Sequence, residues 1–133
     1  MTEKFNEATP QRPGGDRPLD ASLVTIDLPS FIEQIRLEPP YKNSDRNAIT
    51  VFKTNGLCIV LIALHSGAEM ITHTTDDVIS LQVLEGHIRF NTDEQSVELG
   101  KEQMIALHGG IPHSVLARKE AIFLLTLTTP TGL

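Results

Sequence analysis

A single cysteine, Cys58, stands in the 133 residues, so no internal disulfide can form and the fold must rest on packing. Cys58 lies in the apolar run Leu57 to Leu64, which marks it as a core thiol and not a nucleophile. Tryptophan is absent, and Tyr41 is the only tyrosine. No stretch approaches the ~20 apolar residues that a membrane-spanning helix requires, so no membrane partner is expected. Met1 to Gly15 is polar and lacks the apolar centre of a signal peptide, and the expected location is therefore the cytoplasm. Positive charge is scarce as well. Eleven Lys and Arg face seventeen Asp and Glu, a formal net charge of −6, and the basic residues form no stripe. A phosphate backbone would be repelled, so nucleic acid is not an expected partner.

What remains has ordinary globular composition, with 40% apolar and 21% charged residues. The length suits one domain with one core. Pro10, Pro13, Gly14, Gly15 and Pro18 lie among polar neighbours, so residues 1–20 read as a flexible tail and residues 21–133 as the domain. Leu23, Val24, Ile26 and Leu28 are β-prone, and Pro29 then introduces a short helix. Ser30 with Glu33 three residues later forms the pattern of a capping box, while Pro39 and Pro40 should end the helix.

Beyond the helix the chain breaks into short strands. Ala48 to Thr54 and Leu57 to Leu64 flank Asn55-Gly56, the pair that suits a type I′ hairpin turn. Further strands are expected at Glu69–His73, Val78–Leu84, His87–Asn91, Gln95–Leu99, Gln103–Leu107, His113–Ala117 and Ala121–Thr128. So many short strands at nearly regular spacing predict an all-β sandwich or closed barrel. In Val78 to Leu84, period-two alternation places Ile79, Leu81 and Val83 on one wholly apolar face, which should point inward.

Two stretches resemble the paired motifs of the cupin superfamily. The first runs from Gly67 through His73 to Val83-Leu84-Glu85-Gly86, and the second from Gly100 through Gly110 to Ile111-Pro112-His113. The resemblance covers roughly residues 57 to 128 and implies an RmlC-like jelly-roll barrel, the double-stranded β-helix, with one short N-terminal helix. Gln82 to Gly86, Ile111 to Val115 and Phe123 to Thr126 look like the small single-domain bacterial cupins that mostly lack an assigned function. Metal-binding cupins carry two histidines and a glutamate in the first motif and one histidine in the second. Here His73 and His113 match, but Thr75 stands at the second histidine and Ile79 at the glutamate. A degenerate set follows, since a tight transition-metal site needs about three protein ligands or more.

His73 and His113 are thus the candidate metal ligands for zinc, nickel, iron or manganese, and also the candidate acid and base of a metal-free reaction. Thr75, Ile79, Leu81 and Val83 are the candidate pocket residues. His65 and His108 are expected at the rim and His87 at an exposed turn, Gly109-Gly110 reads as a tight turn, and Asp76-Asp77 reads as a solvated loop. Three functions fit these residues: a small-molecule-binding cupin with a mostly apolar cavity, a cupin oxygenase or isomerase using His73 and His113, and an interaction module. A homodimer is expected from the resemblance and from the apolar density of Leu57 to Leu64 and Ile122 to Leu127, which exceeds what one barrel interior hides.

Overall fold

The structure, a computed structural model, describes residues 19–128. The expected tail lies outside the described residues except at its end, where the Leu19 carbonyl accepts a hydrogen bond from the Lys53 N–H at 3.0 Å. Leu23 to Ile26 form no strand, and Leu23 is exposed.

Helix α1 spans Leu28–Leu37 and α2 spans Pro39–Asn43. The capping box is not formed: α1 starts two residues before Ser30, with Asp27 at the cap and no side-chain bond there. Pro29 explains the early start, because its fixed φ suits the first helical turn and its missing N–H costs nothing there. Pro39 and Pro40 stop α1 as expected, but they also open α2 for the same reason.

Nine strands follow among the described residues: β1 Arg46–Thr54, β2 Leu57–Leu64, β3 Glu69–His73, β4 Val78–Glu85, β5 Ile88–Thr92, β6 Ser96–Leu99, β7 Met104–Leu107, β8 His113–Ala117 and β9 Ala121–Thr128. They form a five-stranded sheet, β1-β2-β9-β4-β7, and a four-stranded sheet, β3-β8-β5-β6. Every pairing is antiparallel. The β1–β2 hairpin closes at Thr54 and Leu57, so its loop is Asn55-Gly56. Only Gly56 takes positive φ there, at 89°, whereas type I′ needs it at both positions, so the turn is of another type.

The core lies between the sheets. Val60, Ile62, Leu81, Val83 and Phe123 of the larger sheet meet Ile88, Phe90 and Val115 of the smaller one. A second cluster occupies the outer face of the larger sheet, where Ile35 and Tyr41 of the helices cover Ile49, Leu61, Ala63 and Ile122. Strand β2 is therefore buried on both faces, and its side chains read as one continuous apolar run for that reason. The apolar density of β2 and the start of β9 is thus accounted for within one chain, each fully buried aliphatic side chain contributing about 1.5–3 kcal/mol.

Candidate functional site

A cavity opens between the sheets. His113, Thr75, Ile79, Leu81 and Phe90 line it, with Leu125 from β9. Its space is about 380 Å³ counted out to the open mouth, while the centre of a water-sized molecule can occupy only about 30 Å³. That room holds a water or the end of a narrow ligand, since one water needs roughly 10–15 Å³ on this measure.

His113 is brought inward by alternation along β8, where His113, Val115 and Ala117 share the core face. Its ring is almost entirely buried and stacks on Phe90, with centroids 5.6 Å apart and planes 13° apart. Nδ1 lies 2.9 Å from the Ile111 carbonyl oxygen. A carbonyl can only accept, so Nδ1 carries the proton and the neutral ring has its lone pair on Nε2. The turn through Ile111-Pro112 thereby fixes both orientation and tautomer.

Thr75 reaches the cavity from the β3–β4 loop. Its hydroxyl oxygen accepts from the Asp77 N–H at 3.2 Å, and its carbonyl accepts from the Gly110 N–H at 2.7 Å. The second bond ties this loop to the β7–β8 turn. Gly109 permits the close approach, because a Cβ there would sit 2.2 Å from the Asp76 carbonyl oxygen. Gly109-Gly110 is a turn, as expected.

Ile79 and Leu81 line the cavity, but Val83, on the same face, lies in the closed core and not on the wall. The side chain of His73 lies outside the described residues; its Cα is the direct partner of the His113 Cα across β3 and β8. His65 is far from a rim role: its Nε2–H donates to the Tyr41 carbonyl at 2.7 Å and its ring stacks on Tyr41 at 3.8 Å, under the helices. There the Tyr41 hydroxyl donates to Glu120, and burial together with that bond raises the Tyr41 pKa above its ordinary value. His108 is exposed. His87 sits near the surface beside Glu98, 2.7 Å away, and Arg118 followed by His87 holds the Glu98 carboxyl below its usual range.

Asp77 corrects the expectation of a solvated acidic loop. Asp76 is exposed, but Asp77 is only 3% exposed. Burial alternates from Asp77 through Val83, but Asp77 itself lies in the bend before β4 and is not on the cavity wall. Phe90, Met70 and Leu125 also line the cavity without having been singled out. The alternation of Ile88 and Phe90 on β5 carried the signal for Phe90.

The fit of a metal can be judged on the donors present. Among the described residues, the cavity wall offers the His113 imidazole, the Met70 thioether and the neutral hydroxyl residues Thr75 and Ser114, and at position 79 it offers hydrocarbon. No cluster of three or more His, Cys, Asp or Glu among the described residues is arranged to hold a metal ion. These described donors by themselves fall short of the three protein ligands that a transition-metal site needs. No helix of the described chain is long and apolar enough to cross a membrane.

No protein-family model matches the chain, and no curated protein matches it in sequence. Solved structures do match in shape. A conserved protein of unknown function from Streptococcus pyogenes superimposes with a TM-score of 0.69 at 20% identity, covering 87% of this chain and 95% of that one. A cupin superfamily protein from Desulfitobacterium hafniense gives 0.63 at 14% identity, covering 66% and 80%. An RmlC-like cupin from Shewanella frigidimarina gives 0.62 at 18% identity, covering 66% and 79%. Two facing antiparallel sheets with this strand order, and these neighbours, give the chain the fold of the cupin superfamily.

Proposed function

We propose that this chain is a small-molecule-binding cupin whose ligand enters the cavity between the sheets. The observation that carries the reading is the wall itself: hydrocarbon from Ile79, Leu81, Phe90 and Leu125, with one oriented imidazole, His113, and the hydroxyl residues Thr75 and Ser114. Binding sites are mostly apolar hollows with a few convergent polar groups that fix orientation, and this wall has that composition. The space available to solvent is small, so the ligand is narrow, or side chains at the mouth move aside to admit it. The fold selects no reaction, because one fold hosts many chemistries.

The test uses n-butanol as a narrow probe and reads backbone amide shifts by NMR. Butanol should move the amides of Thr75, Ile79 and His113 in a saturable manner. Leu81→Phe should abolish the response by filling the cavity, at a stability cost of about 1–3 kcal/mol from overpacking. Equal binding by the filled variant would place the probe elsewhere and sink the proposal. Native mass spectrometry of the purified chain should in addition show a bound small organic molecule that Leu81→Phe lacks.

A further inference from the structure

The outer faces of the two sheets differ in charge. On the smaller sheet, cross-strand register sets Glu98, Arg89, Leu116 and Glu69 in one outward row, so that face presents acids and a base to water. On the larger sheet the register sets one row across all five strands: Ala106, Ser80, Thr126, Ile59 and Phe52. Alternation fixes its direction, because Ile79 and Leu81 beside Ser80, and Leu125 and Leu127 beside Thr126, belong to the core between the sheets. Helices α1 and α2 cover this face at Ile49, Leu61 and Ile122. Beyond them Ala106 is exposed, and its same-face neighbours Val78 and Met104 are 43% and 53% exposed. No Lys, Arg, Asp or Glu stands in this row or in the strand rows on either side of it. A sheet face left to water carries polar and charged side chains, whereas loss of charge with exposed methionine and aromatic groups marks a contact surface.

We propose that this face docks a second copy of the chain, the larger sheets packing face to face about a two-fold axis. Charge selects that occupant. A basic partner finds no carboxylate on these rows, and an acidic partner finds no cation. A second copy brings the same neutral rows, and a two-fold contact between identical uncharged patches needs no opposite charge. Ala106, Ser80 and Thr126 are small, so two such faces can approach to the ~10 Å spacing of packed sheets. Only part of the face is open, so the contact is small and the dimer dissociates in the range of about 1–100 µM. Each copy carries a net charge of −6, which opposes the approach of the other. Salt screens that repulsion and finds no ion pair in the contact to weaken, so it strengthens the dimer.

Sedimentation velocity of the full chain from about 1 to 500 µM, at low and at physiological salt, tests this. The mass should rise from monomer to dimer with concentration, and the dimer should tighten with salt. Ala106→Glu and Thr126→Glu each set like charges on both facing surfaces and should weaken the dimer by about tenfold or more. Arg89→Gln, on the other sheet, should leave it unchanged. A chain that stays monomeric throughout, a dimer that salt loosens, or a dimer undiminished in folded Ala106→Glu and Thr126→Glu overturns the proposal. The mass and its salt response need no variant, so a misfolded variant would not spoil the test.

Discussion

Thr75→His combined with Ile79→Glu is expected to turn the cavity into a divalent-metal site. Both positions line the same cavity as His113, so the double variant would gather two imidazoles and one carboxylate, the composition of a facial triad. The cost without metal follows from burial. Ile79 is 3% exposed and surrounded by hydrocarbon, and an unpaired carboxylate in such a place costs about 3–5 kcal/mol. That is a large share of the roughly 5–15 kcal/mol that holds a domain together, so the metal-free variant should melt well below the parent chain. Metal bound only by the folded state returns about 2.7 kcal/mol at a hundred times its dissociation constant. For a domain of this size that gain corresponds to roughly 10 °C in Tm. The assay is scanning calorimetry with and without nickel or zinc, beside isothermal titration of the parent, the double variant, and the double variant carrying His113→Ala. Metal should raise the Tm of the double variant alone, and removing His113 should cancel most of the rise. No metal-linked gain would refute the claim that positions 75, 79 and 113 converge. An equal gain in the parent chain would show that another side chain already completes a site.

Three further outcomes are expected. Gly86→Ala should destabilise by more than about 2 kcal/mol, because φ is +88° and the new Cβ would sit 2.0 Å from the Glu120 carbonyl oxygen, whereas Gly67→Ala at the same φ in open space should lose only about 1–2 kcal/mol; urea denaturation of both separates collision from backbone strain. Asn47→Ala removes donors to the buried Ile35 carbonyl and the buried Glu38 carboxylate and should cost about 2 kcal/mol by the same assay, and a loss near zero would mean water replaces both bonds. Tyr41 is the only tyrosine and its folded pKa is raised above 10.0, so its contribution is fully present below pH 10 and is lost as pH rises through the folded value. Tyrosinate absorbance should then appear above the pH at which a free tyrosine side chain ionises, and ionisation at the ordinary pH with the fold intact would contradict its burial.

Much of the architecture was legible because its cause is local. Strand alternation put Ile79 and Leu81 on the inward face, the Asn-Gly pair located the β1–β2 hairpin, and Pro29 with Pro39 bounded the first helix. Errors arose where two local signals competed. Ser30 and Glu33 read as a cap, but Pro29 drew the helix start to Leu28. Asn55-Gly56 suits a type I′ turn, yet positive φ is confined to Gly56 in a hairpin that also carries a register shift between Thr50 and Phe52.

The sequence by itself determined the strands, the inward row beginning at Ile79, and the absence of a full metal-ligand set at positions 75 and 79, because side-chain period and residue chemistry do not depend on distant partners. Only the tertiary structure decided what covers the second face of β2, where His65 lies, and that Asp77 is enclosed. Each of these is a contact between segments far apart in the chain: α1 and α2 on the outer sheet face, Tyr41 over His65, and the β7–β8 turn locked onto the β3–β4 loop. An aspartate beside another aspartate carries no local mark of burial; the glycine turn at 109–110, some thirty residues away, makes it an interior group.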